Sequence, residues 1–168
     1  LDDRALQQQM TWASAGILAC GVLAGMIAAA ALPHERVDLL WFVWLTIGSI
    51  GALPVHELVH AVAFELLSGF SARVRFGLSS WMLYTCAPGT VLRRRRFCVV
   101  LLAPTVVMSV ALLAVSGLLG YPLLAWFLAV IHLAGCTGDL AYVRIIARER
   151  MATHVGDTER GIALFHDA

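Results

Sequence analysis

The sequence LLWFVWLTIGSIGALPVHELVHAVAFELL, residues 39–67, carries the pattern HELVH at residues 56–60 inside an otherwise strongly apolar segment. The segment exceeds the roughly 20 apolar residues that a helix needs to cross a bilayer. Four residues of an α-helix turn through about 400°, so His56 and His60 leave the same helix face, one turn apart. The pattern therefore predicts a membrane-spanning helix that presents two imidazoles and the carboxylate of Glu57.

This HExxH spacing is typical of zinc hydrolases. Two neutral imidazoles one turn apart can bind one metal ion, and Glu57 lies beside them on the same helix. A carboxylate in that place can take a proton from a water molecule that the metal activates and later deliver it to a leaving amine. His56 and His60 are therefore predicted metal ligands, and Glu57 is the predicted catalytic base.

Composition indicates a membrane protein. The chain has 168 residues, of which 60% are hydrophobic and 14% are charged, whereas about a quarter of the residues in soluble domains are charged. Four apolar segments are each long enough to cross a bilayer, at residues 12–32, 39–67, 97–119 and 122–148. We expect one all-α integral membrane domain over residues 1–168, with four transmembrane helices and a tail at residues 149–168.

The distribution of basic residues predicts how these helices are oriented. All 12 basic residues are Arg, and all except Arg36 fall on one side of the predicted membrane. The positive-inside rule then places both termini and the loop at residues 68–97 in the cytosol. The run Arg93–Arg96 lies beside a span, where we expect it to set this topology rather than to bind nucleic acid.

A metal site needs a third protein ligand, and depth in the membrane favours Asp139. His56 and His60 lie 11 and 7 residues before Leu67, roughly 10 to 16 Å deep at about 1.5 Å per residue. Asp139 lies 9 residues before Arg148, which is roughly 13 Å deep by the same rise. An ionised carboxylate at that depth is costly unless it is paired or metal-bound. Asp139 is therefore the predicted third ligand.

His132 is the alternative third ligand. It shares a helix face with Asp139, but in a straight helix it would lie roughly 10 Å nearer the outer leaflet. Both residues could reach one ion only if the helix breaks, which Gly135 and Gly138 permit. Otherwise we expect His132 to support a ligand by hydrogen bonding, to face the substrate or to be a buried structural residue. Cys136 lies one turn from Asp139 and is the cysteine that could join these candidate ligands.

Pro54 is a further candidate near the site, either supporting it or facing the substrate. Proline has no backbone N–H, so the carbonyl of Ile50 loses its helical hydrogen bond. Pro54 can therefore open or kink the second span just before HELVH. An opening there would admit water and substrate. The alternative is that the small residues Gly48 and Gly51 beside it serve only close helix packing.

Residues 70–86 alternate in polarity and predict a small cytosolic β-hairpin between the second and third spans, with a return strand at residues 81–85. A hairpin there could bind an unwound substrate by strand addition, which exposes carbonyls that a helix hides. The candidate substrate-binding residues are Arg73, Val74, Arg75 and Phe76. The alternative is an amphipathic interfacial loop anchored by Trp81 and Tyr84.

The tail at residues 149–168 is distant in sequence from the metal ligands. We expect it to be a solvated tail or a cover over the site. Its His154 and Asp157 are not expected to bind the metal.

The order of these elements resembles the three-helix core of site-2 proteases, the intramembrane zinc metalloproteases. The motif ALPVHELVHA at residues 52–61, with HLAG and GDL within residues 132–140, resembles even more closely the motifs of a family of short bacterial membrane proteins named putative zincin peptidases. The resemblance covers roughly residues 40–145. It implies a prokaryotic plasma membrane protein with one Zn²⁺ per chain, held by His56, His60 and Asp139, and with Glu57 as the base.

The sequence thus predicts a zinc-dependent endopeptidase that cleaves a peptide bond within or close to the membrane. Its expected partners are the lipid bilayer and a membrane protein or peptide substrate, with a homo-oligomer left open. The alternative is a non-catalytic metal-binding membrane protein or transporter, in which Glu57→Gln would keep both metal and function. A diiron desaturase or hydroxylase is disfavoured because six scattered His residues supply too few histidine clusters.

Overall fold

The computed structural model describes residues 4–31, 35–79, 82–158 and 161–166. Over these ranges the helices are α1 Arg4–Ala31, α2 Leu39–Ser68, α3 Arg94–Leu118, α4 Pro122–Gly135 and α5 Thr137–Arg148. The strands are β1 Arg75–Ser79, β2 Met82–Cys86, β3 Val91–Arg93, β4 Ala152–Thr158 and β5 Gly161–His166. The fold is therefore mostly helical, with two small sheets.

Helices α1, α2 and α3 are each long and apolar enough to cross a membrane, and α4 with α5 would make a fourth span bent by 49°. Many large apolar side chains on these helices point outward, including Leu23, Ile47 and Val106, which are 61%, 54% and 59% exposed. Apolar surface on this scale suits lipid rather than water. The number of candidate spans among the described residues is therefore three, and it reaches the predicted four if the bent pair is one span.

The fourth predicted span is not straight, because the chain bends at Cys136 between α4 and α5. The carbonyl of Ala134, in the last turn of α4, accepts hydrogen bonds from the hydroxyls of Ser14 on α1 (2.8 Å) and Thr137 (3.3 Å). Backbone groups without partners are costly in a membrane, so these hydroxyls make the break tolerable. Depths counted along one straight helix therefore do not apply across this bend.

The first sheet is the predicted hairpin. Strands β1 and β2 pair antiparallel, with Arg75 opposite Cys86 and Leu78 opposite Leu83. Because β1 begins at Arg75, Arg73 precedes the strand rather than lying within it. Trp81, the alternative interfacial anchor, lies outside the described residues.

The second sheet recruits the tail of the chain, in the order β3-β4-β5. In its antiparallel ladder Leu92 of β3 lies opposite Val155 of β4, and both are buried in a core with Phe97 and Ile146. The expectation of a solvated tail is therefore wrong, because Val155 and its neighbours bury apolar surface against α3 and α5.

Asp157 ties this sheet to the turn that precedes β3. Its carboxylate accepts the N–H of Ala87, its own N–H donates to the carbonyl of Thr90 at 3.0 Å, and its carbonyl accepts the N–H of Gly89 at 3.2 Å. Burial raises the pKa of the Asp157 carboxyl, while the backbone N–H groups of Ala87 and Thr158 act to lower it. Asp157 thus has a structural role, consistent with its exclusion as a ligand.

Glu35, in the loop before α2, holds the start of α4. Its two carboxylate oxygens accept the N–H groups of Leu123 (2.6 Å) and Leu124 (3.0 Å), and Oε1 also accepts the indole N–H of Trp41 (2.7 Å). A carboxylate at a helix N-terminus satisfies N–H groups that lack helical partners and suits the helix dipole. Glu35 therefore links α2 to α4, the two helices that carry His56 and His132.

Replacing Glu35 by Ala should destabilise the protein by about 1 to 3 kcal/mol, since three donors lose a charged acceptor. Glu35→Gln keeps one acceptor oxygen and should lose less. Thermal unfolding of detergent-solubilised protein, followed by circular dichroism, measures both. Equal melting temperatures for Glu35→Ala and wild type would show that this carboxylate does not hold α4.

Candidate metal centre

His60 is buried on α2 and has a partner for each ring nitrogen. Its Nδ1 lies 3.0 Å from the carbonyl oxygen of Val100 on α3, and its Nε2 lies 3.4 Å from Oδ1 of Asp139 on α5. A carbonyl oxygen can only accept, so a neutral His60 carries its proton on Nδ1. This leaves the Nε2 lone pair free for a metal ion.

His56, one turn earlier, is arranged in the same way. Its Nε2 lies 3.2 Å from Oδ2 of Asp139, and its Nδ1 lies 3.1 Å from Nε2 of His132 on α4. The carboxylate of Asp139 therefore lies between the Nε2 atoms of the two motif histidines. The structure brings the three residues predicted from depth into one group.

The donor atoms of His56, His60 and Asp139 fit a metal ion. They all lie within 4.8 Å of one another. In a tetrahedral zinc site with bonds of about 2.0 to 2.1 Å, ligand atoms lie about 3.3 Å apart, close to the observed nitrogen to oxygen distances of 3.2 and 3.4 Å. Two imidazoles and one carboxylate also form a ligand set that leaves a fourth position open, as in catalytic zinc sites.

A second group of donors shares His56. The Sγ of Cys136 lies 3.9 Å from His56 Nδ1 and 3.7 Å from His132 Nε2, and all three atoms lie within 4.8 Å. The bend at Cys136 brings His132 to one nitrogen of His56 while Asp139 faces the other. The sequence analysis placed His132 and Asp139 too far apart for this because it counted along a straight helix.

His132 is thus placed to orient His56. If His56 Nδ1–H donates to His132 Nε2, the Nε2 of His56 is left unprotonated and directed toward Asp139. Metal-binding histidines commonly donate their other N–H in this way, which fixes the tautomer and the ring orientation. The Cys136 thiol donates to the carbonyl of His132 at 3.2 Å and packs behind the pair.

Glu57 lies between the two motif histidines in sequence and is half-buried on α2. Its carboxylate interacts electrostatically with His60. Its backbone carbonyl accepts the hydroxyl of Thr85 at 2.9 Å, so strand β2 is attached to α2 at the motif itself. The hairpin is therefore placed next to the candidate metal site.

A model of the family described as "Putative zincin peptidase" matches residues 49–153. The chain belongs to this family. The matched range runs from α2 into β4 and includes every residue of both donor groups. No curated protein and no solved structure matches the chain.

The other predicted site residues of this zincin-family chain lie outside the donor groups. Pro54 is exposed on α2, which runs through it as a single helix. In the candidate substrate hairpin, Arg75 and Phe76 are exposed on β1, whereas Val74 packs against the buried core. Arg73 precedes β1 and lines a separate cavity.

Three groups near the site were missed by the sequence analysis. The carbonyl of Val100 and the hydroxyl of Thr85 gave no signal, because such contacts depend on which helix or strand packs alongside. Tyr142 did carry a signal, lying three residues after Asp139 on the same helix face. Its hydroxyl oxygen is buried, has no hydrogen-bond partner in the described part of the chain, and lies within electrostatic reach of Asp139.

Measuring the zinc content of purified variants decides which of the two donor groups binds the metal ion. Asp139→Ala should lose stoichiometric zinc because it removes the only carboxylate ligand. His132→Ala should keep the site but bind zinc about 10 to 100 times more weakly, as expected for a residue that orients a ligand. Cys136→Ser is the matched control and should keep full zinc.

The reverse pattern would place the metal elsewhere. Full zinc in Asp139→Ala, with loss in both His132→Ala and Cys136→Ser, would assign the ion to the group of His56, His132 and Cys136.

Proposed function

We propose that this chain is a zinc-dependent endopeptidase that hydrolyses a peptide bond within or close to the membrane. The observation that carries the proposal is the meeting of His56 and His60 with Asp139 between two candidate spans, beside the carboxylate of Glu57. Membership of a zincin peptidase family supports the same chemistry.

In this proposal one Zn²⁺ per chain is held by Nε2 of His56, Nε2 of His60 and the carboxylate of Asp139. When bound, the ion supplies Lewis-acid activation of a water molecule and of the scissile carbonyl. Glu57 takes a proton from the attacking water and delivers it to the leaving amine nitrogen.

Two further groups keep the ligands in position. With Nδ1 of each motif histidine protonated, His132 and the carbonyl of Val100 would accept from His56 and His60 respectively, so neither imidazole would need to rotate when the metal binds. Ligands that are already oriented avoid a reorganisation cost during catalysis.

The resemblance to site-2 proteases extends the proposal to intramembrane proteolysis. On this proposal α2, α3 and the bent pair α4–α5 would form the three-helix core that the sequence resemblance implies. The resemblance to bacterial membrane proteins supports a prokaryotic plasma membrane protein. The Arg distribution supports cytosolic termini and a metal site toward the cytosolic side.

The hairpin is the proposed substrate-binding element. Its strand β2 is attached beside the motif through Thr85 and Glu57, and an extended substrate segment could pair with a hairpin edge near the site. Strand pairing would hold the substrate unwound, with its carbonyls accessible. The exposed side chains of Arg75 and Phe76 would contact a membrane protein or peptide in that position.

A non-catalytic metal-binding protein is the second candidate function. It is favoured by the group of His56, His132 and Cys136, whose thiol would bind zinc tightly as a thiolate. In that case Glu57 would have no chemical role, and its replacement would leave the protein's function unchanged.

Glu57→Gln tests the hydrolase directly. The variant should keep zinc and lose cleavage by about 10² to 10⁴-fold, because the amide cannot accept the proton of the water. Purified protein in detergent is incubated with a mixture of transmembrane peptides, and mass spectrometry measures the products. Chelation should abolish cleavage, and added zinc should restore it.

Glu65→Gln is the matched control, since it makes the same change two turns later on α2. It should cleave at the wild-type rate. Wild-type cleavage by Glu57→Gln would overturn the proposed mechanism, and zinc-loaded wild type that cleaves nothing would favour the binding function.

A further inference from the structure

A cavity of about 550 Å³ lies where α2 ends and α3 begins, away from the metal centre. Its walls come from the end of α2, the segment before β1, the turn at residues 88–90 and strands β3 and β4. Three arginines line it, Arg73, Arg93 and Arg96. The chain thus gathers three basic residues, one before β1 and two from the Arg93–Arg96 run, around one concave surface.

The described part of the chain supplies no carboxylate partner for these arginines. Over residues 4–31, 35–79, 82–158 and 161–166, none of the three forms an ion pair with Asp or Glu. Arg96 donates to the carbonyl of Leu67 at 3.3 Å, which holds its side chain at the cavity. Like charges held together repel one another, and an anion between them would relieve that repulsion.

Hydrogen bonds hold the wall of the cavity in place. The hydroxyl of Ser68 accepts the N–H groups of Ser71 (3.2 Å) and Ala72 (3.1 Å), and the Ser71 hydroxyl donates to the carbonyl of Ser68 (2.8 Å). On the other side, the bond from Gly89 N–H to the carbonyl of Asp157 fixes the turn against the tail sheet. The cavity therefore has a defined shape without a ligand.

Its position relative to the spans indicates the kind of anion. Ser68 is the last residue of α2, and Arg94 is the first residue of α3. Both helices are long and apolar enough to cross a membrane. The ends of such helices lie at the level of the lipid head groups. Leu66 and Val99, on the adjoining turns of the two helices, are 59% and 53% exposed and offer an apolar surface to acyl chains.

We propose that this cavity binds the phosphate of an anionic phospholipid from the surrounding leaflet. Arg guanidinium groups bind phosphate oxygens through paired, charge-assisted hydrogen bonds. The acyl chains would lie along the exposed apolar turns that carry Leu66 and Val99. Ser68 follows His60 by eight residues, about 12 Å along α2, so the lipid would set the depth of the motif helix without touching the metal ligands.

The test measures lipid binding and does not depend on proteolysis. Detergent-solubilised full chain is titrated with dihexanoyl phosphatidylglycerol, dihexanoyl phosphatidylcholine or inorganic phosphate, and calorimetry gives the affinities. Phosphatidylglycerol should bind tightest, because phosphatidylcholine carries a cation and inorganic phosphate lacks acyl chains. Arg73→Gln and Arg93→Gln should each weaken its binding about fivefold.

Arg95→Gln is the matched control. Arg95 is exposed in the same Arg run and lies at the same helix end, but it does not line the cavity, so this variant should bind like wild type. Circular dichroism confirms that each variant is folded.

Three outcomes would overturn the proposal. An equal loss in Arg95→Gln would show a general basic surface rather than a site. Equal binding of phosphatidylcholine or of inorganic phosphate would exclude an anionic lipid as the ligand. Displacement of phosphatidylglycerol by an equimolar short peptide with a free C-terminal carboxylate would assign the cavity to a peptide.

Discussion

The carboxylate of Asp139, held between the Nε2 atoms of His56 and His60, is the constraint on which the rest of this structure depends. A carboxylate among helices that are apolar enough to span a membrane is costly unless it is paired or bound to a metal ion. Its contacts with His56 and His60 link α5 to α2, while α5 packs mainly against α3 and α1. The contact is reached through the bend at Cys136, where the backbone carbonyl of Ala134 accepts hydrogen bonds from the hydroxyls of Ser14 on α1 and Thr137 on α5. One polar contact therefore ties the helix that follows the bend to the helix that carries HELVH.

The bend also decides what surrounds the ligands. It brings His132 to Nδ1 of His56 while Asp139 occupies the Nε2 side, so a single imidazole is shared by two groups of donors. The same ring can be oriented by His132 for a catalytic metal, or can bind a metal together with His132 and Cys136. The two arrangements use opposite nitrogens of His56, so variants at Asp139 and Cys136 separate them.

Helix α2 connects this centre to the Arg-lined cavity. Near its middle it carries the HELVH motif, where Thr85 attaches the hairpin, and at its end it forms one wall of the Arg-lined cavity. The tail sheet closes the opposite side of that cavity and is held there by Asp157. A ligand at the cavity and a substrate at the hairpin would thus contact elements attached to the same helix at Ser68 and Glu57, about 16 Å apart along its axis.

The sequence by itself determined the spans, the helix that carries HELVH and the hairpin, because hydrophobic length and local periodicity are read along the chain. Depth counting also selected Asp139, since an acid inside a span needs a partner. Only the tertiary structure decided the place of His132, since the bend at Cys136 is supported by a hydrogen bond from Ser14, more than a hundred residues away. It also decided the fold of the tail, because the short strand β3 pairs with β4 across α3, α4 and α5, and such distant contacts leave no local pattern in the sequence.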